Sequence, residues 1–281
     1  MKELATLSLF DATTAQHTTT GIAAGASATF YLWFPNTIIT NSFFFLPAIN
    51  AQAPVRLCLC MNGGNQMFTT AAQGLTLNSI SLLVSGIKYE REVRDELMRV
   101  HRSGTFVSKC ETWQFQRFPL GSTLSANTQI QQLLQGMNGE CSSLFFFIRP
   151  SLLNGSTQYG SNVLENTIQI SQISQLTDEY GSNALTQNLD EIIPRVLYPL
   201  DLYPGSFRNY YLYVIPFALQ PHLASSKSSD IGYLKINGNN LLVLTTGAAP
   251  SVPGPYKLFI GARMKSFITL DKDGNAQVNL L

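Results

Sequence analysis

From Thr29 onward the chain breaks into short apolar runs, each closed by proline, glycine or asparagine, and this punctuation favours β-structure over helix. Thr29–Phe34 (TFYLWF) stops at Pro35-Asn36, and Phe43–Leu46 is closed by Pro47. Val55–Met61 places Val55, Leu57, Leu59 and Met61 on one face ahead of Asn62-Gly63-Gly64-Asn65. Ile80, Leu82 and Val84 alternate with Ser79, Ser81 and Leu83 before Gly86. Runs of this length, rich in β-branched and aromatic residues and bounded by turn formers, read as strands.

The pattern continues to the last residues. Thr105–Ser108 and Trp113–Phe118 end at Pro119-Leu120-Gly121, and Leu144–Arg149 (LFFFIR) is a buried strand halted by Pro150. Ser151–Gly160 turns to Asn, Gly, Ser and Thr and reads as a linker; Ile168 and Ile170 then restart the alternation. Asp178–Phe207, with Pro194, Pro199 and Pro204, reads as a loop-rich middle. In Tyr210–Leu219, Pro216 predicts an edge strand or a bulge, because proline cannot donate to a ladder. Tyr233–Ile236 and Leu241–Thr245 flank Asn237-Gly238-Asn239 and predict a hairpin. Tyr256–Met264, Phe267–Leu270 and Ala276–Leu280 complete the set, the last two joined through Asp271-Lys272-Asp273-Gly274. Many short strands with few helices give antiparallel sandwiches. A length of 281 residues suggests two domains. We expect an N-terminal arm over residues 1–18, a first sandwich over 19–150 and a second over 151–281.

Two helices interrupt the strands. Lys88–Arg102 holds nine charged residues of both signs, with Tyr89, Val93, Leu97 and Val100 as a helical stripe and Gly104 just past the end. It reads either as a solvated helix with one packed stripe or as a mixed-charge docking surface for another subunit. A second helix is expected over 125–139: Ser125 or Asn127 caps it, Ile130, Leu133, Leu134 and Met137 form its apolar face, and Gly136 or Gly139 closes it.

Composition narrows the function. Lys and Arg total 18 against 17 Asp and Glu, and charged residues are only 12% of the chain, about half the usual share. Dispersed basic residues give no footprint for sequence-specific nucleic-acid binding. A polar but sparsely charged surface suits close contact with neighbours, since interface cores are depleted in charge. Met1–Thr20 lacks the apolar core of a secretory signal, and no run reaches the roughly 18 apolar residues of a membrane-crossing helix.

The search for chemistry yields no catalytic, cofactor-binding or metal-ligating residue. His17, His101 and His222 are far apart, and neither H-E-x-x-H, G-x-S-x-G nor a P-loop occurs. Cys58 and Cys60 share one face of an apparent strand and, like Cys110 and Cys141, read as small buried hydrophobes rather than zinc ligands. Asp271, Asp273 and Asn275 resemble the start of a calcium loop, but the loop is too short and lacks the distal Glu. The acids of Glu90–Glu96 alternate with arginines that pair them. The chain is therefore expected not to be an enzyme and to need no cofactor. A β-sandwich glycosidase, which requires two facing carboxylates, is the enzymatic alternative.

Several segments resemble double jelly-roll major capsid proteins, the adenovirus-hexon-like lineage. Leu77–Glu90 (LNSISLLVSGIKYE) is similar to the family's strand that ends at a glycine before a helical excursion. Tyr211–Leu219 (YLYVIPFAL), Ser228–Ile236 (SSDIGYLKI) and Leu241–Leu244 resemble its run of aromatic strand, P-F-x-L, short Ser/Gly loop and next strand. Ile260–Leu280, with Ala262-Arg263 and Asp273-Gly274, is similar to its terminal hairpin. The length is nearest the compact versions in tailless, membrane-containing icosahedral bacteriophages. The resemblance implies an all-β fold of two tandem eight-stranded jelly rolls with short inserted helices. It further implies a non-enzymatic coat protein, made in the host cytoplasm and resident in the virion. Such a protein trimerises into pseudo-hexagonal capsomers that tile an icosahedral shell over an internal membrane. Its partners would be its own copies, neighbouring capsomers, penton or vertex proteins and minor capsid proteins, with the arm at residues 1–18 as a contact to the membrane or a neighbouring subunit. The alternative is a vertex or spike protein that binds a host receptor or glycan.

Overall fold

A computed structural model describes residues 10–11, 16–17, 30–31, 79, 81, 88–102, 106–150, 167–199, 211–218, 232–251, 253–270 and 276–280. The strands expected between Leu32 and Gly86, the linker at 151–160 and the turn at 271–275 lie outside the described residues.

In chain order the strands are β1 (Phe10–Asp11), β2 (Gln16–His17), β3 (Phe30–Tyr31), β4 (Phe106–Pro119), β5 (Gln129–Leu133), β6 (Gly139–Pro150), β7 (Ile170–Thr177), β8 (Ala184–Asp190), β9 (Tyr213–Pro216), β10 (Leu234–Ile236), β11 (Leu241–Thr246), β12 (Tyr256–Leu270) and β13 (Ala276–Leu280). Among the described residues one α-helix, α1 (Arg91–Arg102), precedes β4, and a π-helical segment spans Ile193–Leu197. The fold is all-β, and every strand pairing among the described residues is antiparallel.

Strands β1–β3 form a small sheet of their own. The rest form two larger sheets. In the first, β12 is the spine, with β4 along one side and β6 followed by β13 along the other. Beyond β6 lie β9 and β10, each paired to a different stretch of it. The second sheet runs β5-β11-β7-β8. Between the two sheets sits one apolar core. It takes Leu144, Phe146 and Ile148 from β6, Leu258, Ile260, Ala262 and Met264 from β12, Ile170, Ile173 and Leu176 from β7, and Leu242 and Leu244 from β11.

Alternation along each strand explains which residues enter this core, and a bulge explains the exception. Cys141 and Leu144 both face inward although they are three residues apart. Arg263 pairs with Ser143 and Met264 with Cys141, so Ser142 is an extra residue on β6. Its hydroxyl donates to the Arg263 carbonyl at 3.1 Å, which fixes the bulge against β12.

Several expectations are corrected. Residues 106–150, expected in a first sandwich, hydrogen-bond into the same two sheets as 167–280, so a border at 150–151 does not part the described strands. The helix expected over 125–139 is instead β5, a tight turn and the start of β6. Ile130, Leu134 and Met137 are buried as predicted, but Gln129–Leu133 alternates in exposure and lies along β11, whose backbone takes its hydrogen bonds. The hairpin expected from Tyr233 to Thr245 is a crossing between sheets: β10 pairs with β6 in the first, β11 with β5 and β7 in the second. Inside the loop-rich middle, Ala184–Asp190 forms β8, a largely exposed strand paired to β7. Its Gln, Asn and Thr residues hide the strand because it has little apolar surface to bury. Among the described strands β9 pairs with β6 alone, which is the edge position Pro216 predicts.

The crossing at 237–240 has its own polar clasp. Buried Asn240 accepts from the Asn237 amide at 3.2 Å and donates to the carbonyls of Lys235 (3.1 Å) and Thr177 (3.4 Å). Gly238, at φ 88°, supplies the left-handed residue of the turn. One amide side chain thereby joins β10 of the first sheet to β7 of the second.

A candidate assembly surface

A two-sheet sandwich needs only the inner face of each sheet for its core. The outer face of the first sheet is nevertheless built from large apolar and charged residues. Because Leu258, Ile260, Ala262 and Met264 point inward, their neighbours Lys257, Phe259, Gly261, Arg263 and Lys265 point outward. Register then places five cross-strand rows on this face. At one end Glu111 lies beside Lys265. Next come Trp113, Arg263 and Ser143, then Phe115, Gly261 and Phe145, then Arg117, Phe259 and Phe147. Pro119, Lys257 and Arg149 close the far end.

Aromatic contacts tie the rows together. Trp113 stacks on Phe115 with centroids 5.6 Å apart and planes 6° from parallel, and lies 5.2 Å from Phe145. Phe147 stacks on Phe259 at 4.9 Å. Offset stacks of this kind are worth about 0.5–1.5 kcal/mol beyond area burial. Gly261 is what lets Phe115 lie flat, since a Cβ there would sit 2.7 Å from its ring.

Burial is graded along the face. Glu111, Arg263, Lys265, Phe145 and Val214 are all buried. Arg263 donates to the Glu111 carboxylate, with side-chain exposures of 3% and 4%, and its guanidinium lies 5.9 Å from the Trp113 ring centroid. Lys265 lies 5.1 Å from the ring of Tyr233. Phe115, two residues along β4 from Trp113, is 62% exposed. The far end is cationic: Arg117 and Arg149 lie 5.7 and 5.5 Å from the centroid of Phe259, and Lys257 stands opposite Arg149 in the ladder. Burial, and then the neighbouring charge of Arg117, hold Arg149 below the usual arginine pKa.

The helix α1 is equally open. Val93 and Val100 of its apolar stripe are 49% and 52% exposed and Tyr89 42%, while Leu97 is half-buried. Arg94 bonds Asp95 and Arg99 bonds Glu96 along its surface, while Arg91 lies 3.7 Å from Asp95.

The predicted absence of a catalytic constellation left no site residue to place. Among the described residues no three His, Cys, Asp or Glu side chains converge as metal ligands, and no helix is long and apolar enough to cross a membrane. Asp271, Asp273 and Asn275, like His222, Cys58 and Cys60, lie outside the described residues, although Leu270 and Ala276 pair as the first rung of a hairpin. Cys110 and Cys141 are buried, the former with its thiol pushed up to about 11 by burial and then by Glu111. The outward aromatic face was missed from sequence. Its one visible sign is Phe145-Phe146-Phe147, three successive large apolar residues that alternation sends to both faces of a sheet.

No known family model matches the sequence, and neither does any curated protein. Solved structures similar to the chain include VP54 of PBCV-1, fitted into a reconstruction of the Sputnik virophage, at 14% identity and TM-score 0.46, covering 67% of this chain and 54% of that one. The Faustovirus major capsid protein matches at 12% identity and TM-score 0.41, covering 63% and 36%. The major capsid protein P2 of bacteriophage PM2 matches at 10% and 0.29, covering 56% and 45%. The chain thus spans about half the length, or less, of these solved structures.

Proposed function

We propose that this chain is the major coat protein of an icosahedral virion, in which trimers form pseudo-hexagonal capsomers that tile a shell over an internal membrane. The observation that carries the reading is the outer face of the first sheet. A sandwich whose own core is already filled displays a second aromatic surface, partly buried and partly open. Such a surface is stabilised by contact with further protein rather than by solvent. The low charge content fits a subunit whose flanks abut copies of itself, where many weak contacts repeated by symmetry hold a shell. The sequence resemblance set out above supplies the family to which this behaviour belongs.

The division into an arm at 1–18 and two jelly rolls is part of the proposal, with the border moved to before Phe106, since β4 onward builds one sandwich. Contacts to penton, vertex and minor capsid proteins, and of the arm to membrane, follow from the same reading.

Sedimentation of the purified chain and electron microscopy of particles from expressing cells test it. A trimer, and shells in which this chain dominates by mass, are expected. A chain that stays monomeric at micromolar concentration would overturn the proposal, and one that is scarce in the virion would favour a receptor-binding spike.

A further inference from the structure

The outer face of the second sheet differs in kind from that of the first. Leu242 and Leu244 of β11 point into the core, so Leu241, Val243 and Thr245 point away from it. Register sets three rows across this face. The first is Leu133 beside Leu241. The second runs Gln131, Val243, Gln175 and Gln187, and the third Gln129, Thr245, Gln172 and Asp190. Two bulges on β7 keep the rows aligned, with Ser171 and Ser174 as the extra residues. Ser174 and Thr245 share a hydrogen bond of 2.8 Å. Gln129, Gln131 and Gln187 are exposed, Gln172 and Gln175 are half-buried, and Val243 is buried at the centre.

These five glutamine side chains form no hydrogen bond with any described residue. The rows carry one charge, on Asp190, whose carboxylate accepts from the Ile192 amide at 3.0 Å. A face that meets only water ordinarily carries charges of both signs for solubility. An amide is donor and acceptor at once, so a face of amides is complementary to a copy of itself. Other occupants fit less well. The phosphates of nucleic acid or lipid find no cation on these rows, and a sugar finds no aromatic ring to stack on.

Self-complementarity also bears on symmetry. A two-fold contact sets the same patch on both partners, whereas the contacts that close a three-fold ring are heterologous. The patch is small as well. Three rows across four strands cover about 400 Å², half of the roughly 800 Å² that each partner of a stable pair buries. Such a contact is weak singly and becomes effective when repeated across a shell.

We propose that the β5–β11–β7–β8 face of one copy docks, about a two-fold axis, on the same face of a copy in the neighbouring capsomer, amide against amide. The inference rests on the coat-protein reading above and names the surface and the chemistry that link its capsomers.

The test is charge insertion in the full-length chain at the two exposed ends of the middle row. Gln131→Lys with Gln187→Lys, and separately Gln131→Glu with Gln187→Glu, set like charges on both sides of the contact. Sedimentation velocity reads the trimer, electron microscopy the shell and circular dichroism the fold. Each pair should keep the trimer and raise the concentration needed for shells by about tenfold or more, as like-charge juxtaposition at an interface does. Mixing Lys-variant and Glu-variant trimers in equal amounts should bring that concentration back toward wild type, and no recovery would overturn the inference. Should a pair fail to fold, Gln187→Lys and Gln187→Glu alone carry the same mixing test. Shells that form from both pairs as from wild type would sink the inference and leave the coat-protein reading standing. Folded variants that lose the trimer would place the face inside the capsomer and overturn it too. A wild-type chain that forms neither trimer nor shell would overturn both readings. Glycan-array binding that vanishes in the Lys pair, with shells unchanged, would assign the face to sugar hydroxyls instead.

Discussion

The guanidinium of Arg263 on β12 donates to the carboxylate of Glu111 on β4, diagonally across two paired strands and sealed from solvent. Both residues lie outside the core between the sheets, on a face that opens to solvent only two rows away. Removing one partner strands a buried charge, which costs about 3–5 kcal/mol. Glu111→Ala should therefore lower the unfolding free energy by about that amount in urea titration. Glu111→Leu combined with Arg263→Met should recover most of it. Equal losses in the single and double variants would show that the pair stabilises through packing alone.

Asn240 is the side chain that ties the crossing loop to both sheets. Asn240→Ala removes two donors and one acceptor at a fully buried position, leaving the Asn237 amide and the Lys235 and Thr177 carbonyls unanswered. A loss of about 1–3 kcal/mol is expected for an unsatisfied buried group. Asn240→Asp keeps the acceptor but sets a buried carboxylate against the Lys235 and Thr177 carbonyls, and should destabilise at least as much as alanine at neutral pH.

Gly261→Val should displace the Phe115 ring from the outer face, because a Cβ at 261 meets it at 2.7 Å. Because that ring is the outer end of an exposed side chain it can give, and stability should fall by less than about 1 kcal/mol. Phe115 stacks on Trp113, so tryptophan emission should shift with the loss of that contact. Unchanged emission and stability would mean that the stack adapts freely.

The thiols make a separate prediction. Cys110 is pushed up to about 11 by burial and then by Glu111, and burial drives Cys141 higher still. Thiolate is the reactive form, so at pH 8 iodoacetamide should leave both unmodified in the native protein and label both in urea, read by peptide mass mapping. Labelling of native Cys141 would show that the core opens.

Asp178 organises the turn between β7 and β8. Burial raises its pKa, but hydrogen bonds from the Asn183 side chain and from the amides of Asn183, Ser182 and Tyr180 outweigh that and hold it below its ordinary 3.8. A carboxylate with a depressed folded-state pKa contributes stability that is complete above the unfolded value and lost as pH falls through the folded one. Amide exchange at Tyr180, Ser182 and Asn183 should thus stay protected down to pH 4 and lose its protection below that. Asp178→Ala should remove the protection at every pH.

Much of the fold was legible because local period and punctuation agree with burial. Strand alternation places Leu258, Ile260 and Met264 in the core, the charged heptad-like stretch makes α1, and Pro216 marks an edge. What failed did so where two local readings were equally satisfied. Ile130, Leu133, Leu134 and Met137 fit a helical stripe as well as a strand and turn, and only the open backbone of β11 decides for the strand. Asn237-Gly238-Asn239 forms a turn either way; that it carries the chain to the opposite sheet rather than folding a strand back on its neighbour is set by the pairing of β11 with β5 and β7, distant in sequence. The outer face was hidden for the same reason. Sequence alone determined that Phe145, Phe146 and Phe147 belong to a strand. Only the pairing of β6 with β12 decided which of them fill the core and which stand outward with Arg117 and Phe259, because a ladder's register is set by long-range hydrogen bonds that no local pattern records.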